Sequence, residues 1–546
     1  MSGIAQRRDT RWWGWGSAGR RLTLDPAALS ALRAELGDLS PWDRPGSIDA
    51  VELPPPQPLP AAIAELVGKE HVLDGHEDRV RHASGSSFTD LARLRSGELA
   101  DAPDAVVVPA DGAQIAALLE VCAREGVAVV PFGGGTSVVG GVEPLRGVHA
   151  RLLSLDLARL REVAVDRVSL TARLGAGLRG AEAEAELRRQ GLTLGHFPQS
   201  FEFATVGGFA ATRSAGQASS GYGRFDELVT TVRLLAPAGE LATLEMPHSA
   251  AGPSLRELAI GSEGVLGVIP EVGVRLRPAP ASERYEAWIA ESWEAGRGIV
   301  RRLAQEEALP DLIRLSDERE TRYSLAFSGP GGAAGAILDG YLRLRRRAGG
   351  CLVIVGIEGG RESVARRRAQ IAQLLRAGGA VYLGRSGGRA WKRTRYEGPY
   401  LRDTLLDAGV LVETLETAHT WSRLAELYES VAAALRGTLE EAGAPPIVLC
   451  HLSHAYADGA SLYFTVLARR LPREEVEQWQ AAKAAACEAI VAAGGTISHH
   501  HGVGLDHAPY MAAEVGELGL ATLRAIKERL DPAGILNPGK LLASPG

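Results

Sequence analysis

The chain of 546 residues carries 23% charged and 45% hydrophobic residues with a formal net charge of −6, which calls for roughly two to four folding units and argues against nucleic acid as a partner. No apolar run reaches the length of a membrane span, and the four scattered cysteines, Cys122, Cys351, Cys450 and Cys487, contain no CxxC pair to signal a disulfide framework or a zinc site. Neither end reads as a targeting segment, so a cytoplasmic setting is expected.

Residues 1–100 read as an extension wrapped on something larger. They hold WWGWG at Trp12–Gly16, a helical piece over Pro26–Leu36, the proline-rich VELPPPQPLP at Val51–Pro60, and short helices over Ile63–Val67 and Asp90–Arg95. An α/β pattern then begins: strand Ala105–Val108, helix Asp111–Arg124, strand Val127–Val130, and the glycine-rich PFGGGTSVVGG from Pro131 to Gly141. Three successive glycines let backbone N–H groups turn inward as an anion nest. The run lacks both the GK[ST] ending of a P-loop and the GxGxxG spacing, and taken alone it is equally a mobile turn. Expected strands at Val168–Leu174, Val229–Leu235 and Val272–Leu276 are interrupted by two further small-residue loops, Pro198–Gly216 and Ile260–Pro270. Tight packing explains any one such loop; three together favour an extended, phosphate-bearing cofactor.

From 281 to 475, strands Leu352–Ile357, Val410–Leu415, Pro446–His451 and Ser461–Leu467 alternate with amphipathic helices, one of them marked by Leu424, Leu427, Val431, Leu435 and Leu439. Arg314 in LIRLSD and Arg402 in GPYLRDTLL lie on otherwise apolar segments. Such an arginine usually snorkels or pairs, and the sharper alternative is a fork for phosphate or carboxylate. A helix over Arg473–Ala493 leads to GGTISHHHGVGLDH, then a helix over Gly519–Leu530 and the tail LDPAGILNPGKLL. If Thr496–His501 is extended, His499 and His501 share one face and His500 the other. The run is then structural, or a metal site completed by Asp506 at no known ligand spacing, or a proton-transfer group.

The glycine loop, SEGVLGVI and NPGKLL together resemble the vanillyl-alcohol-oxidase (PCMH-type) family of FAD-dependent oxidoreductases. The resemblance implies an α+β fold: an FAD-binding domain of two α/β subdomains over 101–280, an α+β cap over 281–475, and a C-terminal segment, 476–546, that completes the site and the FAD domain. Within that family WWGWG, PFGGGTSV, EFATVGGFAATRSAG, IRLSD, YLRD, VETLET, DGASLYF and SHHHGVG are similar to the alkyldihydroxyacetonephosphate synthases. These flavoenzymes exchange the acyl group of acyl-dihydroxyacetone phosphate for a long-chain alcohol in ether-lipid synthesis, without net redox.

Carried over by position, the resemblance implies FAD contacts from Pro131, Phe132, Gly133, Gly134, Gly135, Thr136 and Ser137. A second stretch supplies Gln199, Ser200, Phe201, Glu202, Phe203, Ala204 and Thr205, followed by Thr212, Arg213, Ser214 and Ala215. The last contacts implied are Glu263, Gly264, Val265, Leu266, Gly267, Val268 and Ile269. Thr136 stands where covalent relatives carry a flavin-linking histidine, so non-covalent FAD and no metal are expected. Arg402 would bind the substrate phosphate, Arg314 matches an arginine the family needs, Tyr463 would act as an acid, and His499, His500 and His501 would move protons. The implied partner is a small-molecule or lipid substrate, with peripheral membrane contact and a homodimer left open. Gln199 stands where the synthases carry an acidic residue, and the run QASSGYGRFDEL and the tail look more like FAD-linked 2-hydroxy-acid oxidoreductases of the D-lactate or glycolate type, the alternative reading. A flavin-free binding protein that kept the fold is the third.

Overall fold

The computed structural model describes residues 8, 10–17, 19–328 and 332–542. Near the N-terminal end a sheet runs in the order Val72–Leu73, Ala105–Val107, Arg151–Asp156, Val127–Phe132. Its last three strands are parallel. Val127 to Val130 are fully buried, which is why this strand reads as a continuous apolar run rather than an alternation. The preceding helix, Gly112–Glu125, starts where the Asp111 side chain accepts from the Gln114 N–H and stops at left-handed Gly126. It buries Ile115, Leu118, Leu119 and Cys122 on one face. The glycine loop therefore leaves the carboxyl end of a parallel strand, where open α/β sheets bind ligands.

A five-stranded antiparallel sheet follows, ordered Val163–Asp166, Thr171–Gly175, Glu271–Arg275, Val229–Ala236, Gly239–Ala242. The strand expected over Val168–Leu174 is shorter than its sequence suggests. The Asp166 carboxylate accepts from the Val168 and Ser169 N–H groups at 2.8 and 3.0 Å, turning the chain there and leaving Val168 96% exposed.

The largest sheet has seven antiparallel strands in the order Val381–Gly384, Ser282–Ala290, Cys351–Gly359, Leu312–Ser316, Ile447–Ala455, Gly459–Arg469, Val410–Thr420. One face sends Leu315, Val353, Leu415, Cys450 and Phe464 into a core with helices Trp293–Gln305, Leu424–Glu441 and Glu475–Ala493. Strand side chains alternate, so Arg314, His451, Tyr463 and Glu416 stand on the opposite face. The register lines them up, with Tyr463 opposite both Glu416 and His451 and with His451 opposite Ser316.

Both ends of the chain return to these sheets. Leu536 bridges Val129 in parallel, and the Asn537 side chain donates to the carbonyls of Gly141 and Glu263. Helix Pro26–Leu36 buries Leu32 and Leu36 against Leu405, Val410 and Ile447. The Trp15 N–H donates to Asp403, which also receives Arg11 at 3.4 Å. Among the described residues no helix is long and apolar enough to cross a membrane.

Candidate active site

The three small-residue loops meet around one cavity of about 550 Å³, closed on its other side by the seven-stranded sheet. Its wall includes all of Pro131 to Ser137, then Gln199, Ser200, Ala204 and Thr205, then Thr212, Ser214 and Ala215, and finally Glu263, Gly264, Gly267, Val268 and Ile269. The glycines are required by space. A Cβ on Gly133 would lie 2.5 Å from the Thr205 hydroxyl oxygen, one on Gly134 would run into the Phe203 carbonyl, and Gly135 has φ +65°. Backbone brought this close, with small side chains and the unpartnered Gln199 Nε2 beside it, fits the pyrophosphate and ring system of a flavin dinucleotide.

Other implied contacts point elsewhere. Phe201 stacks on Tyr396, Glu202 accepts from Tyr400 and Arg20, and Phe203 packs edge-on against Trp15. Arg213 pairs with Asp226 and Glu257, while Val265 and Leu266 are core residues.

Arg314, Arg402, Tyr463, His500 and His501 all line the same cavity. Arg402 rides on helix Gly398–Asp407, gives one N–H to the Ser86 carbonyl at 2.7 Å, and keeps a buried Nε without a partner. Arg314 is more fully engaged, donating to Glu320 at 2.6 Å and to His451 Nε2 at 3.1 Å. His451 in turn faces Glu320 through Nδ1 at 3.2 Å, so its ring is neutral with the proton on Nδ1. Burial, then Arg314, lower His451 to about 4. Burial opposes ionisation of Glu320, but Arg314 and His451 hold it down at about 2. The Tyr463 ring stacks on His451 at 4.8 Å and meets His501 edge-on at 5.4 Å. Burial pushes its phenol up to about 12.

The histidine run is not a strand. Only Thr496 makes a bridge, to Ala418, and the chain then bends through His501, so the alternating faces expected of an extended run do not form. His500 and His501 face the cavity, whereas His499 is turned back to the Tyr456 hydroxyl at 2.8 Å and stacks on His454. Burial holds His454, His499 and His501 well below the usual imidazole range. Glu416, His499 and His500 bring three metal-type ligand atoms within 4.8 Å of one another. The Glu416 oxygens, however, already accept from three backbone N–H groups and the Ser498 hydroxyl. Oε1 takes three of these and Oε2 one, with His500 Nδ1 3.4 Å from Oε2, so the carboxylate is committed mainly to the loop's own donors.

Sequence reading passed over His451, His454, Glu320 and Glu416. For three of them the signal was present: IVLCHLSHA and VETLET place His451, His454 and Glu416 on strands that are otherwise apolar, whereas Glu320 sits among the ordinary charges of a helix, Glu318–Ser328. His454 is further marked by φ +51°.

Comparison with known proteins agrees with this geometry. Residues 103–245 match the FAD binding domain family, and residues 279–541 match the C-terminal domain of FAD linked oxidases. The p-cresol methylhydroxylase structure superposes with a TM-score of 0.65 at 15% identity, covering 93% of this chain and 99% of that one, so the fold is the α+β PCMH type. The protein is thus an FAD-dependent enzyme of the FAD-linked oxidase class. An alkyldihydroxyacetonephosphate synthase of Dictyostelium discoideum is 32% identical over 91% of this chain and 83% of its own length. One of Trypanosoma brucei brucei is 30% identical over 98% and 93%, and a solved alkyldihydroxyacetonephosphate synthase aligns with a TM-score of 0.84 at 28% identity over 98% and 99%. The chain belongs to the alkyldihydroxyacetonephosphate synthase family.

Proposed function

We propose that the enzyme exchanges the acyl group of acyl-dihydroxyacetone phosphate for a long-chain alcohol, forming the ether bond of an ether-lipid precursor. One observation carries this reading: a single cavity joins the glycine loops, the Arg402, Tyr463, His500 and His501 group, and an apolar wall. That wall is made by Tyr323, Leu401, Leu405, Val412, Leu449 and Leu467, backed by Leu32 and Leu36. With FAD on the first, a phosphorylated headgroup bearing a long chain uses the second and third. A small 2-hydroxy acid has no use for the third.

The glycine loops hold FAD without a covalent link, since Thr136 offers no imidazole. When bound, FAD supplies an electron-rich ring that supports the reacting C1 with no net redox change. Arg402 has donor capacity left for the substrate phosphate. Arg314 fixes the His451 and Glu320 pair beside the reacting group. Tyr463, kept protonated by burial, donates as the ester C1–O bond breaks and the fatty acid leaves. A neutral imidazole takes the alcohol proton while the alcohol oxygen bonds to C1. His501 suits that role because its buried Nδ1 has no partner.

Palmitoyl-dihydroxyacetone phosphate and hexadecanol should give alkyl product, and Tyr463→Phe should lower kcat about 10²- to 10⁴-fold with FAD retained. Rapid flavin bleaching by D-lactate or glycolate, with no alkyl product, would overturn this in favour of the 2-hydroxy-acid oxidoreductase.

A further inference from the structure

The segment Ser498–Gly504 belongs to no helix or sheet, yet every backbone N–H from His499 to Gly504 has an acceptor. His499 donates to Glu416 Oε2 at 2.8 Å, while His500 and His501 donate to Oε1 at 2.9 and 2.8 Å. Gly502 donates to Ser498 Oγ at 3.0 Å, and that hydroxyl donates to Glu416 Oε1 at 2.8 Å. Val503 and Gly504 donate to the two oxygens of Glu263 at 2.6 and 2.7 Å. Two buried carboxylates, 1% and 8% exposed, therefore take five of the six directly, and Glu416 holds the Ser498 hydroxyl that takes the sixth.

Burying a carboxylate is costly unless charge-assisted hydrogen bonds compensate it. A loop that presents only donors supplies that compensation at Glu416 and part of it at Glu263, whose carboxyl burial still raises. An amide in the same place would have one acceptor oxygen and would turn two hydrogens toward the loop's N–H groups. The two anchors also come from opposite walls of the cavity, Glu416 from strand Val410–Thr420 and Glu263 from the small-residue loop on the cofactor side. Their joint grip sets where the loop sits between sheet and cofactor.

We propose that Glu416 is a positioning residue for the exchange reaction. With Glu263 as second anchor, its carboxylate fixes the loop so that His500 and His501 face the reacting carbon and His499 turns back to Tyr456. The inference rests on the function proposed above. Misplacing reacting groups by about 1 Å costs on the order of 100-fold in rate, and this sets the expected effect.

The test compares wild-type holoenzyme with Glu416→Gln and Glu416→Asp. Readouts are kcat and KM for palmitoyl-dihydroxyacetone phosphate with hexadecanol, FAD content, and amide hydrogen exchange of the peptide spanning 498–504. Glu416→Gln should lower kcat about 100-fold with KM within threefold and FAD content unchanged, and should speed exchange in that peptide at least about tenfold. Glu416→Asp, which keeps the acceptor charge, should recover part of both, and it carries the test if the glutamine variant fails to fold. Wild-type kcat and unchanged exchange in Glu416→Gln, or in Glu416→Asp where the glutamine variant does not fold, would overturn the proposal. Wild-type enzyme that makes no alkyl product would overturn the proposed function alone, and the exchange measurement then still decides whether Glu416 holds the loop.

Discussion

Replacing Gly134 by alanine drives a Cβ into the Phe203 carbonyl oxygen, with the Phe203 carbonyl carbon and Ala204 Cα each 2.9 Å away. All three are backbone atoms, so no side chain can swing aside. The glycine loop and the Gln199–Thr205 stretch must part by roughly 1 Å to restore ordinary contact distances. Overpacking of this kind costs about 1–3 kcal/mol. Both loops line the cavity that fits the cofactor, so the strain should appear as weaker FAD binding. At about 1.4 kcal/mol per tenfold, the loss is about 5-fold to about 150-fold. Titration of apoprotein with FAD, followed by flavin fluorescence, measures it directly. Gly298→Ala is the control: it lies on helix Trp293–Gln305 with nothing within 4 Å of a new Cβ. It should add up to about 1 kcal/mol of stability and leave FAD affinity unchanged. FAD binding by Gly134→Ala within twofold of wild type would refute the cradle.

Leu449→Trp should fill part of the apolar wall; excluding two methylene groups at about 0.8 kcal/mol each raises KM for a palmitoyl substrate roughly 15-fold and spares a butyryl one, and equal effects on both would count against a chain-binding wall. Burial pushes the Glu263 carboxyl up to about 7, against the donors Val503 and Gly504. With the folded pKa above the unfolded one, the folded state binds the extra proton between about 4.5 and about 7, so this group's contribution to stability falls as pH rises through that window and levels off above it. Denaturant midpoints of wild type and Glu263→Gln from pH 4.5 to 8 should differ by an amount that changes by up to about 3 kcal/mol; a pH-independent difference would sink the assignment.

Much of the fold was legible because its strands follow simple burial patterns. Val127–Val130 and Leu352–Ile357 announce themselves as apolar runs, and they lie within strands Val127–Phe132 and Cys351–Gly359, while helix Pro26–Leu36 matches its sequence bounds. Cap strands were read short: Val410–Leu415 extends to Thr420 and Ser461–Leu467 to Arg469, because polar Glu416, Thr417 and Arg469 fall inside them. The candidate site was legible where it is local, as at Pro131–Ser137, or where residue types are unusual, as at His500 and His501, which line the cavity while His499 does not. It was not legible where one residue acts on a distant segment. The carboxylate of Glu416 takes the N–H of His501, 85 positions away, and Glu263 takes that of Gly504, 241 positions away. Periodicity within a window carries no trace of such pairs.

The grip of the WWGWG segment on helix Gly398–Asp407 bears on the order in which the enzyme is assembled. Arg11 and Trp15 meet Asp403 across 392 and 388 positions of chain, and Asp403 is the neighbour of Arg402. During synthesis the N-terminal clasp emerges long before the helix it must close on, and contacts of such sequence separation form late. Arg402, proposed above to bind the substrate phosphate, should therefore be among the last parts to be set. The glycine loop waits on contacts as distant, since Leu536 bridges Val129 and Asn537 reaches Gly141 across 396 positions, so flavin uptake and catalytic competence should return together as the chain refolds.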